Sequence, residues 1–107
     1  MVQQSRSGLA GASGNPGSTM QAKIRCRGME VTGIAVQDLS PAGCMIGTGS
    51  WLPREEQRVL VSLPGMLNLP GVVLWVASGR AGLLFDELLS EVMYEHLVGN
   101  FALAPAS

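Results

Sequence analysis

Apolar and polar residues alternate along much of the chain after residue 20, a pattern typical of β-strands that bury one face. The first such segment follows Gln21 and alternates apolar with basic positions, namely Ala22, Ile24 and Cys26 with Lys23, Arg25 and Arg27. The six predicted strands are Gln21–Arg27, Val31–Leu39, Cys44–Gly47, Val59–Leu63, Val72–Val76 and Arg80–Phe85. Short strands at this regular spacing predict a mainly β fold, either a small sandwich or a barrel.

The fifth predicted strand differs from the others because every residue from Val72 to Val76 is apolar. We therefore expect it to be covered on both faces. It belongs to an uncharged stretch, Val59 to Gly79, that is long enough for a membrane span. The pairs Pro64-Gly65 and Pro70-Gly71 would break a membrane helix twice. We predict two buried strands joined by a turn instead, with both Pro-Gly pairs at strand ends.

The last predicted element is an amphipathic helix that follows Asp86. Its apolar residues recur at steps of three and four, and they are Leu88, Leu89, Val92, Met93, Leu97 and Val98. Asp86 can cap the N-terminus and Gly99 can end the helix, while Glu91 and Glu95 fall on the opposite side. We expect this helix to pack against one end of the β-fold.

Composition indicates one small domain between two tails. The chain has 107 residues, of which 47% are apolar and 14% charged, enough for one core but not for two. Residues 1–19 are rich in Gly and Ser and can bury almost nothing, so we expect a flexible tail there. The predicted domain spans residues 20–100, and residues 101–107 form a short C-terminal tail.

Charge and the first residues restrict the partners and the compartment. Seven basic and eight acidic side chains give a formal net charge of −1, so we expect no binding to DNA, RNA or an anionic membrane. Residues 1–10 contain no apolar run of signal-peptide length, which favours a cytoplasmic protein. Cys26 and Cys44 should then be buried free thiols.

The reactive side chains argue against an enzyme. His96 is the single histidine and falls on the predicted helix, where such a residue is usually half exposed. No Ser or Cys has the sequence context of a nucleophile, and there is no phosphate-binding loop of the P-loop kind. A zinc site would need Cys26, Cys44 and His96 to converge with a fourth ligand, without any C-x-x-C spacing. We predict no catalysis, no metal and no cofactor.

One short motif points to a family. The residues Asp38-Leu39-Ser40-Pro41-Ala42-Gly43 follow a predicted strand and resemble the D-x-S-x-x-G motif of PilZ domains, bacterial receptors for cyclic di-GMP. The later stretch from Gly71 to Asp86, with Trp75 in a buried strand, looks like the family's final strands. This resemblance covers residues 20 to 99 and implies a small six-stranded antiparallel β-barrel with one C-terminal α-helix.

The resemblance also implies a ligand site. In the family the Asp and Ser of the motif hydrogen-bond a guanine edge, and the Gly lets the backbone come close to the base. Asp38 can accept from guanine N–H donors, Ser40 can donate or accept, and Gly43 has no Cβ to obstruct. The alternative is that Asp38 and Ser40 only cap a turn, a common role for these residue types.

The second half of the family pattern is missing. The family places an R-x-x-x-R motif before the first strand to bind the phosphates, and the corresponding positions here are Gly11 and Asn15. The only arginine in this segment is Arg6. Arg54 and Arg58 have the right spacing, but they follow the D-x-S-x-x-G motif and enclose two glutamates that would repel a phosphate. The remaining substitute cations are Lys23, Arg25 and Arg27.

Two functions stay open for such a protein. The first is a signalling adaptor of the cyclic di-GMP system that acts by protein contact, with nucleotide binding weak or lost. The second is a functional cyclic di-GMP receptor in which Arg6 or the basic strand supplies the phosphate contacts. We favour the adaptor because two bidentate arginines are absent.

An adaptor needs a contact surface. We expect it among apolar side chains in segments that should be exposed, namely Trp51, Met66 and Leu67, with Phe101 and Leu103. A homodimer is a further prediction, because a small core gains stability by pairing, although no heptad pattern supports it.

Overall fold

Six strands of the chain close into an antiparallel barrel, seen in a computed structural model that describes residues 18–104. The elements in chain order are β1 Ser18–Thr19, β2 Gln21–Cys26, β3 Met29–Ser40, β4 Gly43–Gly47, β5 Arg58–Leu63, β6 Met66–Ala77, β7 Arg80–Phe85, α1 Glu91–Asn100 and β8 Phe101–Ala102. The barrel order is β2-β3-β4-β7-β6-β5, and β5 pairs with β2 to close it. The predicted six-stranded barrel with one C-terminal helix is confirmed.

The connections between the barrel strands alternate between two ends. The β2–β3 turn, the loop from β4 to β5 and the β6–β7 turn lie at one end, because neighbouring strands in the chain are antiparallel. The β3–β4 turn, the β5–β6 turn and the exit of β7 toward α1 lie at the other. Arg27 belongs to the β2–β3 turn rather than to the predicted first strand.

The core is filled by the inward positions of the alternating strands. Ile24, Val36, Ile46, Val61 and Val73 are fully buried, each from a different barrel strand. Ala22 and Cys26 are buried on the first barrel strand, while Lys23 and Arg25 lie on its outer side as predicted. Alternation along the sequence therefore identifies the core face of these strands.

The strand around Val72–Val76 is not covered on both faces, which corrects the prediction. It is part of the long strand β6, and its Leu74 is 55% exposed. In a closed barrel only one face of each strand lines the core, and the outer face of β6 stays open at this point. Pro70-Gly71 is also not a turn, because both residues pair with β5 inside the same strand.

The helix begins later than the sequence predicts. Ser90, not Asp86, is the N-cap, and its Oγ accepts a hydrogen bond from the Met93 N–H at 3.2 Å. Asp86 pairs instead with Arg58 of β5. Gly99 does not end the helix, which runs on to Asn100.

The predicted apolar face of the helix is only partly buried. Leu97 is fully buried and Leu89, just before the helix, is almost so. Leu88 and Val92 are about three-quarters exposed, at 73% and 74%. Leu88 lies before the helix, Val92 lies within it on an exposed position, and Leu97 is the helical residue that the barrel buries.

The loop from β4 to β5 buries the tryptophan that the sequence analysis expects to be exposed. Trp51 is 5% exposed and belongs to the core. The loop is held by the Thr48 N–H bonded to the Gly79 carbonyl at 2.9 Å, and by the Gln57 amide bonded to the Cys26 sulfur at 3.4 Å. It therefore covers the barrel end between these two turns, and Trp51 fills the opening.

The two ends of the described chain meet beside β3. Strands β1 and β8 pair in parallel, with Ser18 opposite Phe101, so pairing continues past the predicted tail boundaries at residues 19 and 101. The Val36 N–H donates to the Met20 carbonyl at 3.1 Å, and the Ala104 N–H donates to the Val36 carbonyl at 2.8 Å. Both terminal segments are thus anchored two residues before Asp38.

Candidate functional site

The D-x-S-x-x-G residues form the β3–β4 hairpin. Ser40 pairs with Gly43, and a two-residue turn joins them. The Ser40 Oγ accepts from the Ala42 N–H at 3.2 Å and donates to the Gly43 carbonyl at 3.4 Å. An Asp38 carboxylate oxygen accepts from the Leu39 N–H at 2.9 Å. Both side chains support the local backbone, as the turn-capping alternative predicts, and both remain exposed.

The hairpin is fixed from two sides. The Pro41 carbonyl accepts from the Leu89 N–H, and the Ala42 carbonyl accepts from the Phe85 N–H, each at 2.8 Å. The Tyr94 hydroxyl of α1 donates to the Leu39 carbonyl at 3.4 Å. Since these bonds come from the end of β7, from Leu89 just before α1 and from α1 itself, the motif sits on a rigid support.

Gly43 is required by the packing of β4 on β7. A Cβ at this position would lie 2.0 Å from the Leu83 carbonyl oxygen, far inside van der Waals contact. The obstacle is backbone, which cannot rotate away. The glycine of the motif therefore has a structural reason that is independent of any ligand.

A groove of about 330 Å³ runs from the motif along the outer face of β4, β7 and β6. Asp38 and Ser40 line its polar side. Its other side is apolar and is formed by Met45, Leu74, Trp75 and Leu84, with the backbone of Gly43 and Gly82 between them. Leu74 and Leu84 are 55% and 40% exposed.

Trp75 can lie in the groove because Gly82, its neighbour on the adjacent strand, has no side chain. Trp75 pairs with Gly82 across β6 and β7, directly after an irregularity in the register. A Cβ on Gly82 would lie 2.2 Å from the Trp75 indole nitrogen, so the indole rests against this glycine. The sequence predicts that Trp75 lies in a strand covered on both faces, whereas in the structure it lines the groove. No local pattern predicts that Trp75 pairs with Gly82, so the sequence does not indicate the groove.

The basic residues of the first barrel strand do not reach this groove. Arg25 pairs with Glu30, which lies eight residues before Asp38 on β3, roughly 25 Å along the strand. Arg27 is in the turn at the opposite end of the barrel. Lys23 forms an ion pair with Glu30 at 3.2 Å. Within residues 18–104 no Lys or Arg lines the groove, and Arg6, Gly11 and Asn15 lie outside the described residues.

The predicted partner-contact residues have three different environments. Trp51 is buried, so the expectation that it is exposed is wrong. Met66 is half-buried and packs against the core at the start of β6. Leu67 is 74% exposed. Of the three, only Leu67 presents a large free apolar surface.

The Cys44 thiol and both members of the Arg58–Asp86 pair have shifted pKa values. Burial raises the pKa of the Cys44 thiol to about 12, which leaves it protonated and unreactive beside the groove. Hydrogen bonding to Arg58 lowers the pKa of Asp86 on the exposed surface. In the part of the chain that the structure describes, no three His, Cys, Asp or Glu side chains are grouped to hold a metal ion.

The fold and the site together define a small β-barrel domain with an exposed hairpin motif beside a groove. A family model for the PilZ domain matches residues 16–101. The chain therefore belongs to the PilZ domain family, whose members serve cyclic di-GMP signalling. Neither the curated proteins nor the solved structures gave a match. No helix among residues 18–104 is long and apolar enough to cross a membrane.

Proposed function

We propose that this PilZ domain is an adaptor of the cyclic di-GMP system, that it works by contact between its groove and a protein partner, and that its nucleotide affinity is weak or lost. One observation carries the proposal. The groove beside the motif is walled by apolar side chains, of which Leu74 and Leu84 are exposed, and, among the described residues, by no basic side chain.

The missing arginines decide the strength of nucleotide binding. A charge-assisted hydrogen bond to a phosphate contributes about 1.5–3 kcal/mol. Losing two bidentate arginines therefore weakens binding by several kcal/mol, or roughly a hundred- to ten-thousandfold. Asp38 and Ser40 could still hydrogen-bond a guanine edge, but Asp38 adds a negative charge, and none of residues 18–104 brings a positive charge to the groove to offset the phosphates.

The apolar wall supports protein contact. Leu74, Trp75 and Leu84 come from two adjacent strands and lie side by side in the groove. Adjacent exposed apolar groups with a polar rim are typical of protein interfaces. Here the rim is supplied by Asp38 and Ser40, which are fixed by the hairpin.

The test is quantitative cross-linking of the tagged chain in its own cells, comparing Leu74→Glu with Leu67→Glu. Both variants place a carboxylate at an exposed leucine of β6, but only Leu74 lines the groove. We expect Leu74→Glu to reduce partner recovery by about tenfold or more, and Leu67→Glu to leave it unchanged. The reverse result would indicate that the partner contacts the β5–β6 hairpin, and it would contradict the proposal that the groove is the contact surface.

The receptor alternative predicts a different outcome. It rests on the exposure of Asp38 and Ser40 beside the groove, and it needs a cation from outside the described residues, for which Arg6 is the candidate. A titration with cyclic di-GMP separates the two functions directly, because only the receptor would bind the nucleotide in the low micromolar range.

A further inference from the structure

A second cavity, of about 400 Å³, lies between the β2–β3 hairpin and strand β5. Three arginines line it: Arg25 and Arg27 from the hairpin and Arg58 from β5. Its apolar lining comes from Met29, Leu60 and Pro70. This cavity shares no residue with the groove beside the motif.

Two of these arginines form no ion pair among residues 18–104. Arg58 pairs with Asp86. Glu30 is the one carboxylate that lines the cavity within the described part of the chain, and it pairs with Lys23. Neither Arg25 nor Arg27 forms an ion pair with any residue in the described range 18–104. The cavity therefore holds an excess of positive charge in a chain whose formal net charge is −1.

All three arginines come together around one cavity. Arg25 pairs with Leu60 between β2 and β5, Arg27 follows in the β2–β3 turn, and both line the same cavity as Arg58. Like charges gathered around one cavity repel. Arg27 is also held at a φ of 51°, a left-handed conformation that costs free energy in a non-glycine residue. An anion bound between the arginines would relieve the repulsion.

A neighbouring cavity of about 510 Å³ shares Arg27 and Arg58 but is a poorer anion site. It is lined in addition by Arg54, Glu55 and Glu56. The two carboxylates would repel an anion there. The favourable position is therefore the first cavity, where the only carboxylate contributed by residues 18–104 is already paired.

We propose that the first cavity binds a small phosphorylated molecule. The phosphate would lie between Arg25, Arg27 and Arg58, whose guanidinium groups match phosphate oxygens in pairs. Several cations favour a phosphate dianion over a carboxylate monoanion. The apolar part of the ligand would pack on Leu60 and Met29, which are partly exposed at the cavity.

The probe is phenyl phosphate, which combines a dianion with an apolar ring, titrated at constant ionic strength and followed by amide NMR of the full chain. We expect saturable shifts confined to residues 25–30 and 58–60, weaker binding of inorganic phosphate, and no saturable binding of benzoate. Absence of saturation at about 10 mM phenyl phosphate, equal binding of benzoate, or shifts centred on residues 38–43 would each overturn the proposal.

Matched variants test the arginines individually. Arg25→Gln and Arg27→Asn remove one guanidinium each, and Asn tolerates the positive φ at position 27. Each should weaken phenyl phosphate binding by about tenfold or more. Arg54→Gln removes the same charge from the neighbouring cavity and should leave the affinity unchanged. Equal loss in all three variants would indicate unspecific charge attraction, and no loss in Arg25→Gln or Arg27→Asn would reject the site.

Discussion

The groove depends on two glycines, Gly43 and Gly82. A Cβ added at each of them would meet a different obstacle. A Cβ at Gly43 would strike the Leu83 carbonyl at 2.0 Å, whereas a Cβ at Gly82 would strike the Trp75 indole at 2.2 Å. A side chain can change its rotamer, while the backbone of a barrel strand cannot move without breaking its pairing.

Alanine at the two glycines should therefore have unequal effects. We expect Gly43→Ala to lower the free energy of unfolding by about 2–3 kcal/mol, and Gly82→Ala by about 1 kcal/mol. Gly82→Ala should also shift the Trp75 indole N–H resonance. Urea unfolding and NMR spectra check both values. A larger loss for Gly82→Ala than for Gly43→Ala would contradict this packing.

Trp51 should behave as a core residue. Its 5% exposure predicts that Trp51→Ala lowers the free energy of unfolding by about 3–5 kcal/mol. Urea or thermal unfolding measures this loss. If Trp51→Ala kept the stability of the original chain, the tryptophan would have to be exposed, as the sequence analysis expects.

The Cys44 thiol should be protected while the chain is folded. Burial raises its pKa to about 12, from an ordinary value of 9.0. Because the folded pKa is the higher one, the thiol favours folding below pH 9, and this contribution is lost as the pH rises toward 12. Alkylation by iodoacetamide at pH 8, read by mass spectrometry, should label Cys44 only in denaturant. Rapid labelling of Cys44 in the folded chain would contradict its burial.

At the scale of elements, helix α1 illustrates what the sequence can and cannot determine. Asp86 and Ser90 are both favourable N-cap residues, and the apolar spacing fits a helix that starts at either one. Tertiary contacts decide between them, because Arg58 of β5 engages Asp86 and the Pro41 carbonyl holds the Leu89 N–H. Neither partner is near in sequence.

The two candidate caps should respond differently to alanine. Ser90→Ala removes the hydrogen bond to the Met93 N–H and should cost about 1 kcal/mol of stability. Asp86→Ala should leave the helix intact, since it removes only an exposed ion pair with Arg58. Chemical shifts of residues 91–94 report fraying directly. Fraying in Asp86→Ala but not in Ser90→Ala would show that Asp86, and not Ser90, is the N-cap of the helix.

For the strands, too, the local sequence predicts some features, and others depend on tertiary contacts. Alternation predicts the core side of β2 and β3 correctly, since inward and outward positions differ in polarity. In β6 the outward residues are apolar as well, so no local signal distinguishes Leu74 from the buried Val73. Pro70 is tolerated inside this strand, although Pro-Gly usually marks a turn.

At the scale of the whole molecule, the D-x-S-x-x-G motif could be found in the sequence but its groove could not. The motif residues are consecutive, and local turn chemistry is enough to place them in a hairpin. The apolar wall forms only because the register changes between Val73 and Trp75 and brings the indole over Gly82. Arg25 and Asp38 are far apart because Arg25 lies near the β2–β3 turn and Asp38 near the β3–β4 turn, and these turns are at opposite ends of the barrel. This separation becomes clear only when the strand order is known.

The most direct test of the adaptor proposal is a titration of the purified chain with cyclic di-GMP, followed by amide NMR, with Asp38→Ala as the control. We predict no saturable shift of residues 38–43 at several hundred micromolar nucleotide, because the two family arginines are absent. Saturation in the low micromolar range that Asp38→Ala abolishes would contradict the proposal and identify a nucleotide receptor with a substitute cation.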